Sequence, residues 1–193
     1  MEIKQKKFST HQTFTFNEDH LNYAFKDKTG SDDFDLNYAN FPEKSSVTIE
    51  QNEWLRNVGI LWCLLGTYSV GSAAYKGLSL SGTGFWLFVG VLCIIWFALT
   101  KIKYSVFKTE AGNVLVMNDK NHDKIISEIV SRKKTQLLKW YGDINFDNDL
   151  ENEINKFNWL AEQKVITKEE AEKKIAEVEF SHKNESTGKS LLN

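Results

Sequence analysis

The chain has 193 residues, 41% of them apolar and 26% charged, with a formal net charge of −2, which in bulk is the composition of an ordinary soluble domain. A pI near 6.1 and the lack of a strongly basic segment argue against a nucleic-acid binder, which needs a basic stripe or a domain of high pI. Both cysteines, Cys63 and Cys93, lie in apolar stretches, which argues against a disulfide framework or a zinc site.

Residues 1–53 are expected to supply cytoplasmic strands. Apolar residues alternate at Phe14 and Phe16, at Leu21, Tyr23 and Phe25, and at Phe34, Leu36 and Tyr38. A period of two marks half-buried strands. Lys28-Thr29-Gly30-Ser31 supplies the glycine that a tight turn wants between the last two runs.

Residues 54–101 read as a transmembrane helical hairpin. Residues 57–75 carry no charge, nor do residues 77–100, and only Lys76 stands between them. As a helix at about 1.5 Å per residue the first stretch spans about 28 Å, close to the roughly 30 Å of a hydrocarbon core. The second runs from about Phe85 to Thr100, with residues 78–84 available to lengthen its start. Trp54 and Tyr75 bracket the first span and Trp86 and Tyr104 the second, the placement of interfacial aromatic rings. Arg56, Lys101, Lys103 and Lys108 flank the open side and Lys76 alone lies at the tip, so the positive-inside bias predicts a multi-pass protein with both termini cytoplasmic. More than 50 largely polar residues precede the first span, so no cleavable signal peptide is expected. Gly59, Gly66, Gly71 and Ala73 give that span a small-residue face on which the second span or another subunit can pack closely. Neither span holds an ionisable residue, which counts against a polar transport path.

Residues 102–143 return to strands and end in a helix. Ile102, Tyr104 and Val106, a turn over residues 110–113, and residues 114–117 form a further predicted hairpin, expected to complete the first sheet. Ile125, Ile126, Ile129, Val130, Leu137 and Leu138 then recur at helical spacing to about Trp140, giving one amphipathic closing helix. Arg132, Lys133 and Lys134 on that helix are candidate contacts for anionic lipid headgroups, at about 1 kcal/mol per charge near a membrane surface. The competing reading is the wet face of a helix.

The order of meandering strands closed by one helix resembles the bacterial pleckstrin-homology-like membrane proteins, in which a membrane hairpin interrupts the sheet. The resemblance covers roughly residues 8–141 and rests on Leu21-Asn-Tyr-Ala-Phe-Lys-Asp-Lys-Thr-Gly30, on Phe34-Asp-Leu-Asn-Tyr-Ala-Asn-Phe41, and on the later hairpin and helix. It implies a membrane α+β fold with a two-helix transmembrane hairpin inserted in a pleckstrin-homology-like sheet. Five or six strands are visible where that fold has seven, and residues 46–51 are the candidate for a further one.

Residues 147–180 are expected to form a second unit of two short helices. Leu150, Ile154, Phe157 and Leu160 give the first its apolar stripe, and Thr167 with Glu170 has the spacing of a capping box that starts the second. The run from Phe157 to Val178 is similar to the short C-terminal domain (SHOCT-like) found at the ends of many bacterial membrane proteins. It keeps the Ile166-Thr167-x-Glu169-Glu170 centre and Lys174, but has Lys164 where that family favours glycine and Ala171 where it favours an aromatic residue. The resemblance implies an oligomerisation module, with Phe157, Leu160, Ile166, Ile175 and Val178 as its contact residues. Residues 181–193 are expected to be a disordered tail.

Chemistry is sparse. His11, His20, His122 and His182 are scattered, and none is spaced with a second metal ligand. His122 beside Asp123 has the types of a general base, but polar residues at a helix start are commonly caps. Asp32, Asp33 and Asp35 lack the rest of a calcium loop. No catalytic, cofactor or metal residue is therefore expected. The sequence predicts a non-enzymatic membrane-anchored scaffold or adaptor at the bacterial inner membrane, whose partners are membrane lipid and either a second copy or another membrane protein. The alternative is a pore or transport-complex component assembled through the hairpin.

Overall fold

A computed structural model describes residues 1–190, with side-chain surroundings described through Lys183. Among these residues it is a mixed structure of two antiparallel sheets and five α-helices. The first sheet is a meander of β1 (Glu2–Lys7), β2 (Thr10–Phe16), β3 (His20–Lys26) and β4 (Ser31–Asn37). The second joins β5 (Ser46–Glu50), β6 (Ile102–Lys108) and β7 (Asn113–Met117), with β6 central. Between β5 and β6 the chain leaves and returns through α1 (Glu53–Tyr75) and α2 (Phe85–Thr100). It closes with α3 (His122–Tyr141), α4 (Leu150–Glu162) and α5 (Lys168–Ser190).

The strands expected at residues 14–16, 21–25 and 34–36 are present, and so is the candidate strand near residues 46–51. The turn between β3 and β4 is fixed by one side chain: Asp27 Oδ1 accepts from the Thr29 hydroxyl at 2.7 Å and from the Thr29 and Gly30 N–H groups at 2.6 and 3.0 Å. Those hydrogen bonds hold the Asp27 carboxyl below the usual carboxylate range. Tyr38 lies outside the strand run, in a short 3-10 turn at Tyr38–Asn40 that Asn37 caps through the Ala39 N–H.

One expectation is corrected. The strands after the helical pair do not extend the first sheet but form a second with β5. The reason lies on the free edge of β7, where side chains of the first sheet stand in for a neighbouring strand. Gln5 donates to the Met117 carbonyl at 2.8 Å and accepts from the Met117 N–H at 2.9 Å. Tyr23 Oη meets the Leu115 N–H and C=O, each at 3.3 Å. Edge groups that are already satisfied need no further strand.

The shared core sits between the first sheet, β7 and α3, with Phe14, Leu21, Val114, Val116, Ile125 and Ile129 fully buried. A second core continues from the far end of α3, where Leu137 packs with Phe157, Leu160 and Val178. The stretch 181–190, expected to be a tail, carries the end of α5. Residues 191–193 lie outside the described residues.

Candidate functional site: the two helical hairpins

α1 starts where Asn52 Oδ1 accepts from the Leu55 N–H at 3.2 Å. It is long and apolar enough to cross a membrane, whereas α2 is apolar but has 16 residues, about 24 Å of helix. Residues 78–84 do not lengthen α2, because Gly77 and Gly82, at φ +65° and +79°, turn the chain there. The two helices run antiparallel on glycine. A Cβ at Gly66 would lie 2.6 Å from Leu87 Cα, and one at Gly90 would lie 2.6 Å from the Cys63 backbone nitrogen. At Gly59 it would meet Ile94 Cγ1 at 2.9 Å, so any larger residue forces the backbones apart. Trp62 and Trp86 stack beside this seam with centroids 4.1 Å apart. Ala73 is buried at the upper end of α1. Gly71 is a correction: it is exposed with nothing near it, because it lies about 140° around the helix from Gly66, off the face that Gly59, Gly66 and Ala73 share. Outside the seam, Leu64, Tyr68, Trp96 and Leu99 are each more than 60% exposed.

The pair is rooted in the sheets. Tyr104, on β6, donates to Glu50 Oε2 at 2.9 Å and so ties the strand entering α1 to the strand leaving α2. Burial, then that carboxylate, pushes the Tyr104 phenol well above its ordinary value. Lys7 Nζ donates to the Lys101 carbonyl at 2.5 Å, docking the β1–β2 turn beside the end of α2.

In the C-terminal hairpin, Phe157, Leu160 and Val178 are fully buried, Ile166 is buried and Ile175 is partly buried. This corrects their expected role: the five residues pack against one another and Leu137 of α3, inside one chain, and only Ile175 keeps part of its surface exposed. The partner that so small a unit needs for its core is α3. The turn follows from local chemistry. After α4, Lys164 adopts φ +55° at the position where glycine is favoured. The Lys164 N–H bonds the Ala161 carbonyl at 3.0 Å and the Val165 N–H the Leu160 carbonyl at 2.9 Å, the paired bonds of a Schellman motif. The predicted capping box forms in full: Glu170 N–H donates to Thr167 Oγ1 at 3.1 Å and Thr167 N–H to Glu170 Oε2 at 2.8 Å. The Thr167 N–H lowers the Glu170 carboxyl below its ordinary value.

Sequence reasoning missed Glu153, a fully buried carboxylate. Lys156 Nζ lies 2.6 Å from it, Asn148 donates at 2.7 Å and the Asn145 N–H at 3.3 Å. Burial alone would raise this carboxyl, but those partners outweigh it and hold it below the usual glutamate range. Glu153 thereby fastens the 142–149 linker to α4.

The basic group is largely turned inward, against the headgroup expectation. Arg132 pairs with Glu128 at 2.7 Å, donates to the Asn17 carbonyl at 2.7 Å and lies over the rings of Phe16 and Tyr38. Lys133 donates to the Phe41 carbonyl at 2.9 Å and to Gln163 Oε1 at 3.2 Å. Lys134 is the exposed member of the three. His122 is tied on both ring nitrogens, to Ser105 Oγ at 2.9 Å and to Asp123 Oδ1 at 2.8 Å. These distances suit proton relay. Ser105, however, stands on the central strand, whose backbone N–H groups serve two ladders and leave none to steady an oxyanion. The trio fastens the start of α3 to β6.

A surface that sequence reasoning also missed lies where α3 meets α4. The rings of Trp140, Tyr141 and Trp159 form an edge-to-face chain with centroids 6.2 and 5.6 Å apart, and all three are exposed. Its signal was the pair Trp140-Tyr141 at the polar end of an amphipathic helix. Comparison of the chain with protein-family models, with curated proteins and with solved structures yields no match.

Proposed function

We propose that the chain is a non-enzymatic membrane-anchored scaffold: α1 and α2 form a transmembrane hairpin, and the two sheets with α3 form a pleckstrin-homology-like cytoplasmic body. The observation that carries this reading is the outer surface of α1 and α2, where large apolar side chains surround a glycine seam. Such a surface is costly in water and favourable in lipid. Seven strands among the described residues, in a four-plus-three arrangement with a closing helix, support the body assignment. The C-terminal hairpin, SHOCT-like in this reading, recruits a second copy or a membrane protein through the exposed Trp140, Tyr141 and Trp159 rather than through its core, since exposed Trp and Tyr clusters are the usual anchors of interfaces. The bacterial inner membrane, with both termini cytoplasmic, is the location this reading requires.

Two measurements test it. A cysteine introduced as Ser79→Cys should react with an impermeant maleimide on intact spheroplasts, and one introduced as Asn118→Cys only after permeabilisation; equal labelling of both overturns the anchor. Light scattering in mild detergent should give the full chain a mass above that of one protomer, and Trp140→Ser with Trp159→Ser should reduce it to one. An assembly indifferent to both changes overturns the aromatic patch as its contact. Truncation near Asp143 is a poor substitute, because it strips Leu137 of its cover.

A further inference from the structure

A cavity of about 220 Å³ opens where three parts of the chain meet: the 41–43 stretch after the 3-10 turn, the middle of α3, and the turn between α4 and α5. Phe41, Phe107, Ile126, Val130 and Val165 make its wall apolar. Around that wall stand Lys133, Lys134 and Lys164, against Glu43 as the one acid among the described lining residues.

Lys133 is the informative group. Its two hydrogen-bond acceptors, the Phe41 carbonyl and Gln163 Oε1, are both uncharged, and an ammonium has three donors. Among the described residues no carboxylate pairs with it, and Glu43 lies 3.8 Å from Lys164 instead. Burial draws the Lys133 ammonium below the ordinary lysine value, while Glu43 acts weakly the other way. A half-buried cation with only neutral partners is a site that an anion stabilises. The apolar wall adds a second requirement, because a hydrated inorganic anion would leave it uncovered.

We propose that this cavity binds a free single-chain carboxylate of medium length, its head on Lys133 and Lys134 and its alkyl chain against Phe107, Ile126 and Val130. Size sets the length: an apolar cavity of about 150 Å³ takes up benzene, with six carbons, so this one scales to about eight or nine. The ligand touches α3, the 41–43 stretch and the α4–α5 turn together, so it clamps the C-terminal hairpin to the sheets. The site goes beyond the scaffold reading and does not depend on it, since no residue of α1 or α2 lines it.

The test is calorimetric titration of the full chain in phosphatidylcholine nanodiscs, with empty discs subtracted. Octanoate is the probe, octanol the same chain without the charge, and acetate the charge without the chain. Octanoate should saturate one site per chain; octanol should be weaker by about tenfold or more, the size expected of a hydrogen bond to a charged group, and acetate weaker still, because it leaves the apolar wall uncovered. Lys133→Met should weaken octanoate by about the same factor and leave octanol unchanged, and Lys133→Arg should retain binding. Val130, more than half exposed, tolerates bulk, so Val130→Trp should block both chains without unfolding the protein. The proposal is overturned if octanol binds as tightly as octanoate, if Val130→Trp and Lys133→Met bind octanoate as the parent does, or if the heat equals that of empty discs.

Discussion

In the α1–α2 pair the residues at the helix contact are Gly59, Gly66 and Gly90, and the bulky apolar side chains point away from it. In the α4–α5 pair the contact is made by Phe157, Leu160, Ala171 and Val178, and Glu162, Lys168, Glu169, Glu172 and Lys173 point away. Both are antiparallel helical hairpins, yet each is the other turned inside out. Water drives apolar side chains into a shared core, so the C-terminal pair is held by side-chain volume. Where the surroundings are as apolar as the side chains, burial gains nothing, and close backbone contact through small residues remains as the source of attraction. The arrangement of the first pair is the one expected of helices packed in lipid, which is what supports the proposed anchor.

The contrast predicts opposite responses to volume. Removing bulk should hurt the C-terminal pair most: Phe157→Ala should cost about 3–5 kcal/mol, the range for a large aromatic lost from a core. Hydrogen exchange read by mass spectrometry should show α4 and α5 losing protection while β2 and β3 keep theirs. Adding bulk should hurt the first pair: Gly66→Leu should cost about 1–3 kcal/mol, because the clash is with the Leu87 backbone and cannot be relieved by a rotamer. The same change at Gly71 should cost almost nothing, since no atom lies near it. Equal losses at Gly66 and Gly71 would remove the seam from the argument.

Charge sharpens the contrast, because only the C-terminal pair is held by a buried carboxylate. Glu153 titrates below the usual glutamate range in the folded chain, so its contribution is complete above the ordinary value of about 4.3 and is lost as pH falls through the folded value. Exchange of α4 should therefore rise on acidification below about pH 4, while α1 and α2, which hold no carboxylate beyond Glu53 at the start, stay unchanged. Glu153→Gln should cost about 1–3 kcal/mol at neutral pH and flatten that dependence, since Lys156 loses its carboxylate and keeps only the uncharged Asp143 carbonyl.

What could be read from the sequence was local. The alternation in β2, β3 and β4 was legible because each strand has one buried face, and the capping box because its four atoms lie within four residues. β1 was not legible: Ile3 is its single large apolar residue, and its buried Gln5 reads as polar because the partner it satisfies, Met117, is 112 residues away. The inward turn of Arg132 and Lys133 was hidden for the same reason, since α3 is covered on one side by the first sheet and on another by the α4–α5 turn. Gly66 lies on the seam and Gly71 does not because Gly59, Gly66 and Ala73 recur at a spacing of seven on one helix face, which Gly71 leaves; residue size announces a seam, and spacing decides which small residues share it.

The smallest predicted effect bears on the turn of the C-terminal pair. A non-glycine residue in the left-handed region costs about 1–2 kcal/mol, and Lys164 sits there at φ +55°. Glycine would relieve that strain but add unfolded-state entropy, a penalty of about 0.5–1 kcal/mol. The Lys164 ammonium contributes little to oppose the change, since its contact with Glu43 is 3.8 Å long and both groups are well exposed. Lys164→Gly should therefore stabilise the docked hairpin by about 0.5–1 kcal/mol, seen as slower exchange at Val165 and Ile166. It should also spare octanoate binding, because the carboxylate is held by Lys133 and Lys134. If the change destabilises the turn, the unfolded-state entropy that glycine adds outweighs the strain it relieves, and Lys164 in the left-handed region is not a strained residue.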